Sequence, residues 1–382
     1  MWALTNVRVL DGRGKYLEGA GVLVDDFGRI VAVETNLLPP AGIPVTDGQN
    51  LWLLPGMIDA HSHLGLSTSG EPEAFEDVNE STEPVTADVR ALDGINPEDP
   101  AIAEALAAGV TAAFVTMGSA NVLGGIGATI HLAGRTVEDM VMVPAAGMKA
   151  ALGENPKRWH GERHGRRPRT RPGTAAVLRE WLERARRYAA NPPATAKDWD
   201  PKLDALAMVV RGDVPLRIHC HRADDILTAH RIASEFGLKW VIDHGTEADR
   251  VVAYVARWGV PAVIGPSFAT RVKLELKHLH FRTPGILARA GVPTAIASDH
   301  PVVPSEYLAV YAGLAVREGM DPVHALAAVT SVPAAICGVG DRVGAVEPGK
   351  EADMVLWEGN PLESLQARTR AVYIGGEIVY QR

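Results

Sequence analysis

The sequence predicts an α/β protein: a (β/α)8 barrel in the middle and a small β-domain assembled from the two ends. Three observations predict it. Between residues 57 and 300, short apolar runs alternate with helical patterns, the texture of a parallel sheet with helices outside it. Those apolar runs show little polar alternation, as strands covered on both faces do. Both chain ends hold short β-branched runs bounded by Gly, Asp and Pro.

Each element follows from its own residues. In residues 1–54 the runs NVRVLDGRG, AGVLVDDFGRIVAV and QNLWLLPG read as strands, with GRG and DDFGR as tight turns. From residue 57 the strand candidates are GMIDAHSH, TAAFVTMG, MVMVPAAG, PLRIHCH, KWVIDHG, PAVIGPSF and PTAIASDHP. Between them NPEDPAIAEALAAG carries Pro near its start and Gly at its end, as helix boundaries prefer. DDILTAHRIASEFG sets Ile226, Ala229, Ala233 and Phe236 on one helical face, and EADRVVAYVARWG does the same with Val252, Val255 and Ala256. The stretch 172–212 reads as helices without a strand, so seven strands are visible and the barrel is inferred from alternation. A doubly wound open sheet is the runner-up. Its nucleotide-binding form is disfavoured, because GSANVLGGIG has neither GxGxxG spacing nor a P-loop Lys. After residue 338, DRVGAVEPG, ADMVLWEG and AVYIGGEIVYQR return to short strands. The organisation expected is a composite β-domain from 1–54 plus 339–382, and a barrel over 55–338.

Composition narrows the function classes. With 382 residues, 47% hydrophobic and 22% charged, the chain can bury a large core without disulfides. Its two cysteines, Cys220 and Cys337, are too few for a disulfide framework or a Cys-rich zinc site. A formal net charge of −8 argues against nucleic acid or an anionic membrane as partner. The start reads as no signal peptide, and no apolar run approaches the ~20 residues a bilayer requires. A soluble, cytoplasmic protein acting on a small molecule is the expectation. The basic segment 157–171, KRWHGERHGRRPRTR, reads as a solvated loop, or as an attractor for an anionic substrate group.

The chemistry gathers at strand ends. In DAHSHLG, His61 and His63 stand at i and i+2 and so share a strand face. Two imidazoles so placed can grip one ion at about 2.0–2.1 Å. The pair gains weight from company: His219 and His221 end RIHCH, His244 ends VIDH, and Asp299 and His300 end TAIASDH. In a barrel the C-terminal strand ends converge on one rim, where active sites form. Histidines with a carboxylate suit a zinc-like ion with an open position. Such an ion lowers the pKa of bound water to about 7, and Asp299 is the group expected to move the proton.

LLPGMIDAHSHLG, GVTAAFV, RIHCHRADD, VIDHGTE, ASDHP and, above all, VGAVEPGKEADMVLWEGNPLE resemble the amidohydrolase superfamily. The branch resembled holds imidazolonepropionase, N-acetylglucosamine-6-phosphate deacetylase and the prolidase-like dipeptidases. The resemblance implies a distorted TIM-like (β/α)8 barrel with a small composite β-sandwich domain from both chain ends. It implies His61, His63, His219, His244 and Asp299 as metal ligands, His244 and Asp299 as catalytic groups, and His221 and Arg222 as substrate contacts. A bridging ligand is carried by Glu154 or by a carboxylated Lys149, and Glu154 is preferred because it ligates without modification. The cofactor implied is a divalent metal, zinc first, as one ion or two. The function implied is hydrolysis of a C–N bond in an amide or cyclic amide by attack of metal-bound hydroxide. A metal-dependent deaminase shares every ligand, and a ligand-binding relative without catalysis shares the fold. A homo-oligomer is left open.

Overall fold

A computed structural model describes residues 1–69, 76–193 and 195–382. Its backbone forms two sheets. The first contains β1 (Trp2–Leu10), β2 (Tyr16–Val24), β3 (Ile30–Thr35) and β4 (Val45–Pro55). From the other end of the chain it takes β13 (Met354–Glu358), β14 (Arg368–Ile374) and β15 (Glu377–Gln381). The order is β15-β14-β13-β4-β1-β2-β3. The two ends meet at the antiparallel β4–β13 pair, where Leu53 stands opposite Leu356 and Trp52 opposite Trp357. Leu4, Val7, Val22, Val24, Leu53, Met354 and Tyr373 form its buried cluster. Turn chemistry matches the sequence: the Asp11 and Asp25 carboxylates each accept two backbone N–H groups across the GRG and DDFGR turns.

The second sheet is the barrel. It runs through β5 (Met57–Ser62), β6 (Val110–Val115), β7 (Leu123–His131), β8 (Val141–Ala151), β9 (Leu216–Cys220), β10 (Trp240–His244), β11 (Ala262–Ile264) and β12 (Thr294–Ile296). The sheet is nearly closed: beyond β12, Asp299 N donates to His61 O at 3.0 Å, and His63 N donates to His300 O at 2.9 Å. Asp59 reinforces the seam by accepting from Ser298 N at 3.2 Å and Ser305 Oγ at 2.8 Å.

The strand absent from the sequence reading is β7, and it is antiparallel to both neighbours. Three glycines in LGGIGATIH make it read as a loop. They are there for close packing: a Cβ on Gly127 would lie 2.6 Å from the Phe114 ring, and one on Gly125 would lie 2.4 Å from Val89 O. The stretch 172–212 holds two helices, Arg171–Ala190 and Pro201–Arg211, as read. The helix over Ala223–Phe236 buries Ile226, Ala229, Ile232 and Ala233 against the sheet. Within the basic segment, Lys157–Arg163 forms a wide π-type helical turn with His160 and Gly161 buried, so this part is not a solvated loop. Among the described residues no helix is long and apolar enough to cross a membrane.

Candidate metal centre

Every histidine expected at the centre is buried, and each sits at or just beyond a strand end. Four of them, His61, His63, His221 and His244, are aimed by a partner on Nδ1. His63 Nδ1 meets Thr116 O at 2.6 Å, and His244 Nδ1 meets Gly265 O at 2.7 Å. A carbonyl only accepts, so in both rings Nδ1 carries the proton and Nε2 offers a lone pair. His221 Nδ1 pairs with Thr246 Oγ1 at 2.8 Å. His61 Nδ1 lies 3.1 Å from Asp243 Oδ2. Asp243 is held by Arg217, whose Nε and Nη2 donate to Oδ1 at 3.1 and 2.7 Å. Arg217 is wholly buried, donates also to Ala60 O at 2.7 Å, and lies 4.2 Å over the Phe114 ring. An Arg217–Asp243–His61 relay thus fixes the ring that a metal would use, the arrangement that orients metal-ligating histidines in general.

The Nε2 faces converge. Ligand atoms of His61, His244 and Asp299 lie within 4.8 Å of one another, and so do those of His219, His221 and His244. Asp299 Oδ1 is 3.3 Å from His63 Nε2 and 3.6 Å from His61 Nε2. Among the described residues, neither ring nitrogen of His219 has a hydrogen-bond partner, although both are buried. Orphaned buried nitrogens are costly unless something outside the chain satisfies them, and an ion does so.

Lys149 lies on β8 at the centre of this group. Its side chain is buried, with Nζ 3.0 Å from His61 Nε2. Burial pulls the Lys149 ammonium down to about 8, against the attraction of Asp243 and Asp299. Burial likewise lowers His61 and His221 to about 4 and His219 and His244 well below their ordinary value, which favours the neutral, ligating form. Burial would raise Asp299, but His244, His63 and His61 outweigh it and hold the carboxyl far below the usual range.

Two expected residues stand apart. Glu154 is buried at the start of a short helix, yet its nearest cation is Arg158 Nη1 at 3.7 Å, and it belongs to neither cluster. Arg222 is turned to its own helix, pairing with Asp224 at 2.9 and 2.7 Å, and does not line the cavity. His221 does line it. Asp243, Arg217 and Glu275 also stand at the centre, outside the residues expected from sequence. Asp243 had a signal, as the neighbour of His244 in VIDHG. Glu275, in VKLELK, had none: alternating charges there look like a solvated face. The centre opens into a cavity of about 470 Å³. Asn79, Ser119, Asn155 and Lys273 line it together with Pro266, Phe268, Val272, Pro301 and Val302.

A nearly closed eight-stranded barrel, histidines and an aspartate at its strand ends, and a sheet from both termini define the amidohydrolase class. The Amidohydrolase family model matches residues 52–379, and the chain belongs to that family. It is similar to a solved amidohydrolase from Thermotoga maritima MSB8, at 42% identity and a TM-score of 0.95 over 100% of both chains. It is 29% identical over 381 residues to the amidohydrolase tasK of Hapsidospora irregularis, a match covering 90% of this chain and only 38% of that protein. It is 26% identical over 389 residues to an imidazolonepropionase of Stenotrophomonas maltophilia (strain R551-3), covering 94% of this chain and 90% of that protein.

Proposed function

We propose that this chain is a metal-dependent hydrolase that cleaves a C–N bond in an amide or cyclic amide. One observation carries the reading: the Nε2 faces of His61 and His244 meet the Asp299 carboxylate, while partners on the opposite ring nitrogens hold both rings in place. Imidazoles with one carboxylate suit zinc among the divalent ions. Bound there, such an ion supplies Lewis acidity, making water easier to deprotonate and a carbonyl easier to attack.

The chain's own groups do the rest. Asp299 Oδ1 accepts the proton of the attacking water and returns it to the departing nitrogen. His63 Nε2, 3.3 Å away, holds that carboxylate in position. The ligand position preferred for Glu154 passes to Lys149, whose Nζ lies beside His61. With the amine pulled down to about 8, roughly a tenth is free base at pH 7. The free amine would add to carbon dioxide and release a proton, leaving an anionic carbamate that would supply oxygen ligands to a bound metal. The cavity, at about 470 Å³, has the size of a small-molecule site.

The test is a panel of N-acyl amino acids, cyclic amides and aminated purines presented to zinc-loaded protein, read by amine or ammonia release. Amide turnover that vanishes on chelation and returns with zinc is expected. Ammonia from the purines alone would move the chain to the deaminases. Zinc bound with no turnover of any class would overturn the enzyme reading.

A further inference from the structure

We infer that Glu275 is a metal ligand, completing with His219 and His221 a cation position beside the one at His61 and Asp299. The inference rests on the metal-centre reading above and adds a ligand that the resemblance does not supply.

Glu275 is wholly buried, in a short 3-10 turn over Leu274–Leu276. Its two oxygens have different surroundings. Oε2 accepts from Glu154 N at 3.0 Å, which fixes the carboxylate plane. Oε1 is buried without a hydrogen-bond partner among the described residues. It lies 3.9 Å from His219 Nε2 and 3.8 Å from His221 Nε2. His219 is itself orphaned at both ring nitrogens, and the two rings meet edge to face with centroids 4.6 Å apart. His221 Nδ1 is occupied by Thr246, so its Nε2 is the free end.

Glu275 Oε1 thus lies within 4 Å of both imidazoles, and no hydrogen bond joins it to either. The separations suit an ion. Ligands about 2.1 Å from a tetrahedral centre stand about 3.4 Å apart, so each need close by only a few tenths of an ångström. Charge agrees as well: neutral imidazoles leave a divalent ion underneutralised, and one carboxylate corrects half of that. Lys273 marks the same point from the other side. Its Nζ lies 3.9 Å from Oε1, so in the metal-free chain an ammonium approaches the oxygen an ion would take. Its side chain is 27% exposed, so it can swing outward when an ion enters.

This geometry gives two substitutions opposite effects. Glu275→Gln keeps the size of the side chain and an oxygen for Glu154 N, but removes the anionic ligand. Lys273→Met removes the competing cation from a partly exposed position. Cobalt(II) titration of metal-free protein, read by visible absorbance and by metal analysis after gel filtration, follows both. Two equivalents per chain are expected in the unaltered protein. Glu275→Gln should weaken the second equivalent by about tenfold or more while leaving the first, and Lys273→Met should tighten it. Circular dichroism separates misfolding from ligand loss, and Glu275→Asp should recover part of the affinity. An unchanged second equivalent in folded Glu275→Gln, or a single equivalent in the unaltered protein, would overturn the inference and leave the hydrolase reading standing. Protein that binds no metal at all would sink both.

Discussion

Asp299 shows how much one residue is asked to do. Its backbone N–H closes the barrel onto His61 O, and its carboxylate faces His61, His63 and His244. Asp299→Asn keeps one oxygen toward the ion and loses the base. It is expected to retain most of its zinc and to lose turnover by about 10²–10⁴-fold, measured as kcat on the best amide of the panel. Full turnover would remove Asp299 from the mechanism. At this scale the sequence is informative where residue type and strand end coincide: spacing and company mark His61, His63, His219, His221, His244, Asp299 and His300, and the resemblance singles out five of them as proposed ligands. It was uninformative where a role comes from long-range approach. Glu154 and Lys149 are five residues apart in one segment, and only the direction of β8 decides which faces His61. Arg222 has the sequence position of a pocket cation, but its guanidinium is taken by a bidentate pair with Asp224.

The elements repeat this lesson. Apolar strands and capped helices were legible because each is set by local pattern, as with Asp99 accepting from Ala101 N at a Pro-headed helix. β7 was not legible, because its glycines answer to Phe114 and Val89 on other segments. Gly127→Ala tests that account: the added methyl overlaps the Phe114 ring and should cost about 1–3 kcal/mol, read as a lower midpoint in chemical denaturation. A midpoint equal to that of the unaltered protein would show that the strand tolerates the methyl and that its glycines have another cause. The reversal of β7 takes that strand out of the set that can present ligands at the rim. The candidate ligands come from β5, β8, β9, β10 and the segment after β12, and the parallel β6 and β11 supply none, whereas β7 runs away from the rim and ends at His131, whose Nε2 pairs with Asp353 at 2.9 Å below the barrel.

For the molecule as a whole, the centre sets how stability depends on pH. In the unfolded chain His61 and His221 take up protons near 6.5, in the folded chain only near 4. Between those values the unfolded state binds more protons, so stability falls as pH falls. His219 and His244 act in the same sense. Asp59 and Asp225, pushed up by burial, act in the opposite sense, while His160, His230 and His300, pulled down by burial, add to the four imidazoles. Metal-free protein should lose on the order of several kcal/mol from pH 7 to pH 4.5, measured by urea denaturation at each pH. A flat profile would mean that the imidazoles are charged in the fold. The composite sheet was foreseeable from the matching texture of the two ends. Its pairing partner was not, because nothing local says that Leu53 faces Leu356.

Two of the proposed ligand positions, His244 and Asp299, have φ angles of 74° and 57°. In that left-handed region histidine, aspartate and asparagine are the tolerated residues after glycine, and branched side chains are strongly disfavoured. The backbone therefore screens the alphabet before chemistry does. In a lineage that abandoned the reaction, positions 244 and 299 would drift toward glycine and asparagine, with relief of strain as the reward. Outside that region, His61 and His63 would wander more freely among residues of similar bulk. Decay in such descendants would then be uneven, and the pattern of replacements would record which ligands the chain had held under tension.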